Sequence, residues 1–549
     1  MAEQGTSTVL RKEPDLAVPA RPRLAEGVQV HPPSAEGALW IIERPGSYMR
    51  VGADLAKLAG ALDGARDHAQ LLSYLGAQWT GESLAYALGQ LKRAELLDDG
   101  LRKARRVRWV KYVPPLTVQV TLLRPDRLLT ACAPLFAALA KRGGGVVAAV
   151  LALAGLAGLA LMSGTLIDTL SGPLPMPVYA GVAVATYAVI VLHEFAHAAV
   201  LTYYGGRPNR MGFMLLYLLP AFFCDVSDGW RLAERRQRVR VALAGAATQF
   251  VAAGSASLAA LFTPGSDLRT GLLVFSALNY GSGLLNLLPF IKLDGYLALM
   301  SHLDIPDLRK RAMIDARRYT AELLFGGRYE RELPQVRWAV PYGLACQLFP
   351  IYLVGGLALS LWGDLLRGFG VAGTVVLLVV VGLLIGRLCH GFLVRMREAR
   401  QAGAPAWRAA LVTLAVVGGV AALLALVQVP YSVAGGYRYH AGRADLVLTT
   451  DPGPDVLRTG ATVQLLRNGV VFKERVGTAR IAGTQTHEIS VPVSVLLPVR
   501  TDRELPGTVS GYPLEVTTVP PDSQGVARIE AGHRPLGVWL YRTYVSAAW

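Results

Sequence analysis

The feature that most constrains this chain is a His-Glu-x-x-His pattern, His193-Glu194-Phe195-Ala196-His197, set inside a long apolar run. On a helix, residues four apart lie on one face, so both imidazoles can aim at one point as ligands of a zinc ion. Glu194 is placed to take a proton from a water on that metal. Apart from these residues, Met176 to Val200 carries no charge and is long enough to span a bilayer. Ionisable groups at such depth are costly unless they are used, so the pattern predicts a metal site rather than two core histidines.

The rest of the composition agrees with a chain that crosses a membrane several times. The 549 residues are 52% hydrophobic and only 17% charged, which is far from the average of soluble proteins. The predicted fold class is therefore mostly α, a polytopic membrane protein with about seven spans. The expected spans are 144–163, 178–202, 240–262, 271–290, 338–362, 371–388 and 408–428.

The basic residues indicate orientation rather than a nucleic-acid partner. The formal net charge is +16, but Arg and Lys cluster in short loops near 205–210, 231–240, 302–337 and 387–408, whereas the loops between them are almost free of basic residues. This is the positive-inside pattern. It predicts a multi-pass protein of the cell membrane, with the lipid bilayer as partner, a cytoplasmic N-terminal domain and an extracytoplasmic C-terminal domain.

The N-terminal region divides into three expected parts. Residues 1–35 mix Pro, Arg, Glu and Ala without periodicity and predict a disordered arm. Residues 36–100 predict two short strands and three helices, a winged-helix-like domain that resembles the leader-peptide-recognition domains of ribosomally made peptide pathways. That resemblance implies a dock for a peptide added as an extra strand; a regulatory or structural cytosolic domain is the alternative. Residues 101–143 are strongly basic at first and predict a juxtamembrane and interfacial segment.

The C-terminal region, 430–549, changes from apolar runs to alternating stretches and predicts an extracytoplasmic all-β domain. Asn468-Gly469 predicts a tight hairpin turn between two of its strands. The transmembrane core is then 144–429. Four cysteines occur in the chain, and none forms a Cys-x-x-Cys pair, so we interpret them as buried small hydrophobic residues.

A catalytic zinc site needs a third protein ligand. The best source is the stretch Asn286-Leu-Leu-Pro289-Phe-Ile-Lys-Leu-Asp294-Gly295. Asp294 would supply a carboxylate oxygen, Gly295 would let the backbone pass close to the metal, and Pro289 would end the helix so that the chain can turn inward. The alternative for Asp294-Gly295 is an ordinary turn after a span.

Residues 211–223 are apolar but too short to cross the membrane. A re-entrant hairpin or strand beside the active site would account for them. An interfacial anchor is the alternative.

The His193 to His197 pattern on one span, followed by Asn286-Leu-Leu-Pro-x-x-x-Leu-Asp294-Gly295 on a later one, resembles the site-2-protease family of intramembrane zinc metalloproteases. The resemblance covers about 180–300. It implies zinc held by His193, His197 and Asp294, Glu194 as general base and acid, and a role for Asn286 in orienting the substrate backbone or the oxyanion.

The chain departs from that family in two respects. Gly245-Ala246 stands where Gly-Pro is frequent, and no inserted PDZ-like or CBS-like domain is visible. Such inserted domains are typical of members that cleave membrane-bound signalling substrates, so their absence weakens that role. The leader-recognition-like N-terminal domain, the additional spans and the stretch Phe223-Cys224-Asp225-Val226-Ser227-Asp228-Gly-Trp resemble the peptide-maturation branch. In that branch the protease trims a ribosomally made precursor peptide, as in daptide and related bacteriocin pathways. The precursor peptide is then the expected substrate and partner. Two alternatives stay open: a signalling protease that releases a membrane-tethered regulator, and a non-proteolytic peptide exporter or immunity protein that kept a metal site.

Overall fold

The structure is a computed structural model, and it describes residues 18–32, 40–44, 47–98, 110–113, 117–123, 129, 131, 134, 142–216, 219–232, 234–327, 329–440, 442–448, 456–495, 498–500 and 509–545. Residue contacts divide the chain into two compact units, one of 1–141 and 193–244 and one of 142–192 and 245–549. Each unit is described in turn. The expectations for residues 1–17 and for the basic stretch 101–109 lie outside the described residues.

The helices occupy most of the central region, as the apolar runs predict. They are α1 Ala53–Ala61, α2 His68–Leu75, α3 Gly81–Arg93, α4 Arg142–Leu161, α5 Ser163–Leu170, α6 Met176–Tyr203, α7 Arg235–Leu261, α8 Asp267–Leu287, α9 Asp294–Leu303, α10 Leu308–Phe325, α11 Ala339–Gln401, α12 Ala406–Leu426 and α13 Leu536–Leu540.

The strands lie in the N-terminal region, between α6 and α7, and at the C-terminal end. They are β1 Gln29–His31, β2 Trp40–Arg44, β3 Ser47–Val51, β4 Val110–Val113, β5 Thr117–Leu123, β6 Leu174–Pro175, β7 Met211–Leu216, β8 Leu219–Cys224, β9 Gln428–His440, β10 Arg443–Val447, β11 Thr462–Leu466, β12 Arg475–Ile481, β13 His487–Ile489, β14 Val499–Arg500, β15 Val509–Thr518 and β16 Gln524–Pro535.

In the first unit, the N-terminal domain packs the antiparallel sheet β1-β2-β3 with α1, α2 and α3 around one core. The expected hairpin β2–β3 and the three helices are present. Thr80 caps α3, because its side chain accepts from the Ser83 backbone N–H while the Ser83 side chain accepts from the Thr80 backbone N–H. The winged-helix fold itself is not confirmed and stays a prediction.

Residues 18–32 differ from the disordered arm expected for 1–35. Strand β1 pairs with β2, and Leu24 forms a bridge with Leu97. Val18, Leu24, Val28 and Val30 pack against the domain core. Four apolar side chains spaced along a Pro-rich and charged segment carry no visible period, yet their burial offsets the cost of ordering this segment.

The first unit also holds a four-stranded antiparallel sheet in the order β4-β5-β7-β8. Strands β7 and β8 form a hairpin from the apolar segment 211–223. Cys224, at the end of β8, packs against the buried cluster that includes Ala198 and Ala199 of α6. The end of β8 therefore lies against the helix that carries the His-Glu-x-x-His pattern.

Four helices of the described residues are long and apolar enough to cross a membrane, namely α4, α6, α7 and α12. The seven expected spans are thus confirmed only in these four. Within the second unit, α4 and α7 touch backbone to backbone at Gly155 and Gly254, where an added Cβ on Gly155 would come within 2.2 Å of the Gly254 Cα. Ser257 Oγ donates to the Gly155 carbonyl oxygen at 2.8 Å. Small residues at such crossings let helices associate closely in lipid.

The runs 338–362 and 371–388 do not form two helices with a loop between them. They belong to the single helix α11, which has 63 residues and contains Pro350. At 1.5 Å per residue its length is about 95 Å, roughly three times the thickness of a hydrocarbon core. The expected loop at 363–370 holds Gly and charged residues, which weaken the apolar run but do not end the helix.

The C-terminal region folds as a closed β-barrel. Its strands follow the order β10-β9-β16-β11-β12-β15, and β10 also pairs with β15, which closes the ring. Tyr437 and Leu446 are among its fully buried side chains. Closure leaves few unpaired strand edges, which is a frequent solution for an antiparallel domain.

The predicted two-residue turn at Asn468-Gly469 is wrong in detail. Strands β11 and β12 do pair, but residues 467–474 form a longer loop. Within the second unit, the backbone N–H groups of Val471 and Phe472 donate to the Leu170 carbonyl oxygen at 3.0 and 3.3 Å. An Asn-Gly signal reflects local turn preference only, and here the loop instead binds the segment that precedes α6.

Candidate metal centre

Helix α6 carries both candidate imidazole ligands on one face. Its sequence is rich in Ala, Val and Leu without Gly or Pro near the site, so the backbone continues regularly through 193–197. His193 and His197 are each 6% exposed. Their rings meet nearly at right angles, with centroids 4.7 Å apart, and their Nε2 atoms are 3.1 Å apart. The two Nε2 atoms therefore converge, as the spacing of four residues predicts.

A hydrogen bond from a neighbouring helix orients the second of these rings. His197 Nδ1 lies 2.7 Å from the carbonyl oxygen of Val241 on α7. Since a carbonyl oxygen can only accept, Nδ1 carries the proton and Nε2 presents its lone pair. Metal-binding histidines usually make this outer hydrogen bond, which fixes the tautomer and the direction of the ring.

Asp294 is the first residue of α9, where the chain turns back after α8. This turn needs glycine at the next position, because a Cβ on Gly295 would lie 2.0 Å from the Leu287 carbonyl oxygen. Gly295 therefore permits the close approach that the sequence predicts for it, although the group approached is the end of α8.

The segment between α8 and Asp294 is fixed from two sides. The Tyr342 hydroxyl donates to the Pro289 carbonyl oxygen at 2.7 Å, and Arg309 Nε donates to the Phe290 carbonyl oxygen at 3.0 Å. Pro289 and Phe290 are half-buried, and α10 and α11 provide hydrogen-bond donors for their backbone carbonyls. Nothing in the sequence around Tyr342 or Arg309 marks them as partners of residues 289–290.

The structure brings the three predicted ligands together. One ligand atom from each of His193, His197 and Asp294 can be chosen so that all three lie within 4.8 Å of one another. In the described part of the chain, no second group of three or more His, Cys, Asp or Glu side chains meets this criterion. Two imidazoles and one carboxylate are a donor set that fits zinc in a catalytic site, where three protein ligands leave one position open.

The other two predicted site residues are Glu194 and Asn286, and each is near one of these candidate ligands in the chain. Glu194 follows His193 on α6 and is half-buried. Asn286 is near the end of α8, one residue before Leu287, and its Nδ2 donates to Gln249 Oε1 at 3.0 Å. Gln249 on α7 is therefore hydrogen-bonded to a candidate substrate-binding residue.

Comparison with known proteins gives one informative match. The chain is 30% identical over 120 residues to the Bacillus subtilis (strain 168) protein named "Putative peptide zinc metalloprotease protein YydH", and the match covers 22% of this chain. The chain spans about half of that relative's length, 46%. No protein-family model matches the chain, and no solved structure matches it. The likeness supports a zinc metalloprotease family for a chain that has a His-His-Asp group able to bind a metal.

Proposed function

We propose that this protein is an intramembrane zinc metalloendopeptidase of the site-2-protease type that cleaves a ribosomally made precursor peptide. The observation that carries the proposal is the convergence of His193, His197 and Asp294 on one point, beside a glutamate that follows the first ligand. The relative described above is named as a peptide zinc metalloprotease. Its name agrees with a peptide as the substrate.

The chemistry assigned to the chain's own residues is as follows. Bound zinc would supply Lewis acidity and a water of lowered pKa. The Glu194 carboxylate takes up the proton that the attacking water loses and returns it to the nitrogen of the leaving amine. Peptide and water thereby become a carboxylic acid and an amine, and Glu194 is regenerated. Asn286 hydrogen-bonds the backbone of the peptide at the cut.

A substrate must be extended at the scissile bond, because a helix hides its carbonyl groups. The described part of the sheet has β8 at its edge, with β7 on one side. Its last residue, Cys224, packs against the same buried cluster, Leu129, Ala198 and Ala199, as Phe195, the neighbour of Glu194. We propose that the peptide adds to β8 as a further antiparallel or parallel strand and so reaches the metal centre extended.

The N-terminal domain is proposed to dock the leader part of the same peptide. Strand β3 comes within 8 Å (Cα to Cα) of the turn Ser227–Arg231. That turn begins three residues after β8 ends, and the Asp228 carboxylate fixes it by accepting from the Arg207 backbone N–H at 2.7 Å. A peptide held by the domain is therefore close to the proposed strand-binding edge. In the cell, this arrangement corresponds to a multi-pass membrane protein with the N-terminal domain in the cytoplasm.

The test is cleavage by the purified protein in lipid nanodiscs. The probe is a short synthetic peptide with the sequence of the candidate precursor, and mass spectrometry of the intact products locates the cut. We expect one defined cut that disappears on chelation and returns with zinc. A zinc-loaded protein that leaves this peptide intact but cuts a membrane-tethered regulator would favour the signalling alternative. A zinc-loaded protein that cuts neither would favour the exporter or immunity alternative.

A further inference from the structure

Gln249 is a buried amide in the middle of an otherwise apolar stretch of α7. It is 2% exposed, and α7 is one of the helices able to span a membrane. An amide in apolar surroundings costs free energy unless its donor and acceptor are both satisfied. Gln249 meets this need on one neighbouring helix, α8: its Nε2 donates to Ser282 Oγ at 3.3 Å, and its Oε1 accepts from Asn286 Nδ2 at 3.0 Å.

Ser282 and Asn286 are one helical turn apart, so the Gln249 amide bridges two neighbouring positions on the same face of α8. The hydrogen bond between the two amides couples their orientations. With the Gln249 oxygen as the acceptor, Asn286 presents one N–H to it. The Asn286 carbonyl oxygen and its second N–H are then an acceptor and a donor that the bond to Gln249 does not use.

The position of Asn286 separates this pair from ordinary contacts between helices. Asn286 precedes Leu287, and the Leu287 backbone is in contact with Gly295, the neighbour of Asp294. Leu287 and Gly295 are in close backbone contact. Asn286 is the chain neighbour of the first residue of this contact, and the candidate ligand Asp294 is the chain neighbour of the second. A hydrogen bond that fixes the Asn286 side chain therefore acts next to the metal centre.

We propose that Gln249 is a positioning residue that fixes the Asn286 amide so that this amide can hydrogen-bond the backbone of an extended peptide. A peptide unit offers one C=O and one N–H, which are the complements of the Asn286 donor and acceptor. Gln249 itself does not touch the peptide. The inference rests on the proposed function, since it deepens the role of Asn286 in that site.

The test compares Gln249→Met, Gln249→Glu and the control Ser276→Ala, each as full-length protein in nanodiscs with the same precursor peptide. Gln249→Met keeps the length of the side chain but removes both hydrogen bonds, and Gln249→Glu restores an acceptor for Asn286. We expect Gln249→Met to lose about tenfold or more in kcat/KM, because small misplacements near the reacting groups are costly. Gln249→Glu recovers a large part of that loss, while zinc content stays at the wild-type value in both.

Ser276→Ala is the matched control. Ser276 Oγ donates to the Ala253 carbonyl oxygen at 2.9 Å, so it joins the same two helices through a fully buried hydroxyl without touching Asn286. We expect its kcat/KM to stay within about twofold of wild type. An equal loss in Ser276→Ala and Gln249→Met would show that only helix packing matters and would overturn the proposal.

A double-mutant cycle tests whether Gln249 acts through Asn286. In the Asn286→Ala background, Gln249→Met should cause no further loss of kcat/KM, whereas two multiplying losses would overturn the proposal. Wild-type cleavage with no effect of Gln249→Met would overturn this inference alone. A wild-type protein that binds zinc but does not cleave the peptide would end the proposed function and this inference with it.

Discussion

At the scale of single side chains, residues that are not candidate ligands orient the side chains of the candidate metal centre through hydrogen bonds. The hydrogen bond from His197 Nδ1 to the Val241 carbonyl oxygen at 2.7 Å fixes the tautomer of that imidazole. The hydrogen bond from Asn286 Nδ2 to Gln249 Oε1 at 3.0 Å holds the Asn286 amide in place. Both partners, Val241 and Gln249, lie on α7. Helix α7 therefore contributes orientation to the site, although it holds none of the three ligands.

The role of Glu194 gives a prediction at this scale. Glu194→Gln keeps the size and hydrogen-bonding ability of the side chain but removes its basicity. We expect unchanged zinc content and a rate of peptide cleavage lowered by about 10²–10⁴-fold, the usual worth of a general base. The measurement is the cleavage rate of the purified variant at equal zinc loading.

Glu322→Gln is a control for that variant, since Glu322 is an exposed residue of α10. It should cleave like the wild type. Full activity in Glu194→Gln would remove Glu194 from the mechanism.

At the scale of elements, the contact between α8 and α9 places Asp294. Gly295→Ala would set a methyl group 2.0 Å from the Leu287 carbonyl oxygen, so α9 must move. We expect reduced zinc occupancy and a destabilisation of about 1–3 kcal/mol, the usual cost of overpacking. Metal analysis and thermal unfolding of the purified variant measure the two effects.

Gly281→Ala is the matched comparison, because a Cβ on Gly281 of α8 meets nothing within 4 Å. This variant should retain zinc and stability. If Gly295→Ala kept both as well, the tight turn would not be what positions Asp294.

A second prediction at this scale concerns the crossing of α4 and α7. In Gly155→Ala the new Cβ would lie 2.2 Å from the Gly254 Cα, so the helices must separate and lose their close packing. We expect a clear fall in the unfolding temperature in detergent. Gly181→Ala on α6, where a Cβ meets nothing within 4 Å, should leave that temperature unchanged, and an equal fall in both variants would contradict the account of this crossing.

The elements also show what the sequence can predict and why it stops. The spacing of His193 and His197 predicts their shared face, because a helix has a fixed period. Asp294 is predicted from the need for a third zinc ligand and from the motif around it, since no local rule brings together residues this far apart in the chain. The partners Val241 and Gln249 could not be assigned, because a backbone carbonyl has no sequence signal and one buried amide resembles any other helix contact. The order of residues 18–32 depends on tertiary burial rather than on periodicity.

At the scale of the whole molecule, the barrel is joined to the chain just before α6. In the second unit, β14 pairs in parallel with β6, and the Tyr179 hydroxyl donates to the Pro498 carbonyl oxygen at 2.9 Å. Residues 170–175 lead directly into the helix that carries His193, and Tyr179 lies at the start of that helix. The barrel thus stabilises the segment from which this helix begins.

Leu174→Asp should loosen this junction. Leu174 is 3% exposed and packs with Val178 and Val274. An Asp side chain at this position would lose these apolar contacts and would bury a carboxylate in apolar surroundings. We expect the barrel of this variant to be released by limited proteolysis several times faster than in wild type.

Val471→Asp is the control for that experiment. The Val471 side chain is 59% exposed, while its backbone N–H keeps the bond to Leu170. Its proteolysis should match the wild type, and equal rates for Leu174→Asp would show that this junction does not hold the barrel.

The measurement that tests the account most directly is the zinc content of the purified protein by mass spectrometry of the metal. The account predicts about one zinc per polypeptide in wild type, from three protein ligands at one catalytic ion, and a large loss in Asp294→Ala. Asp267→Ala, at an exposed residue in the first turn of α8, should keep its zinc. Full zinc occupancy in Asp294→Ala would contradict the account.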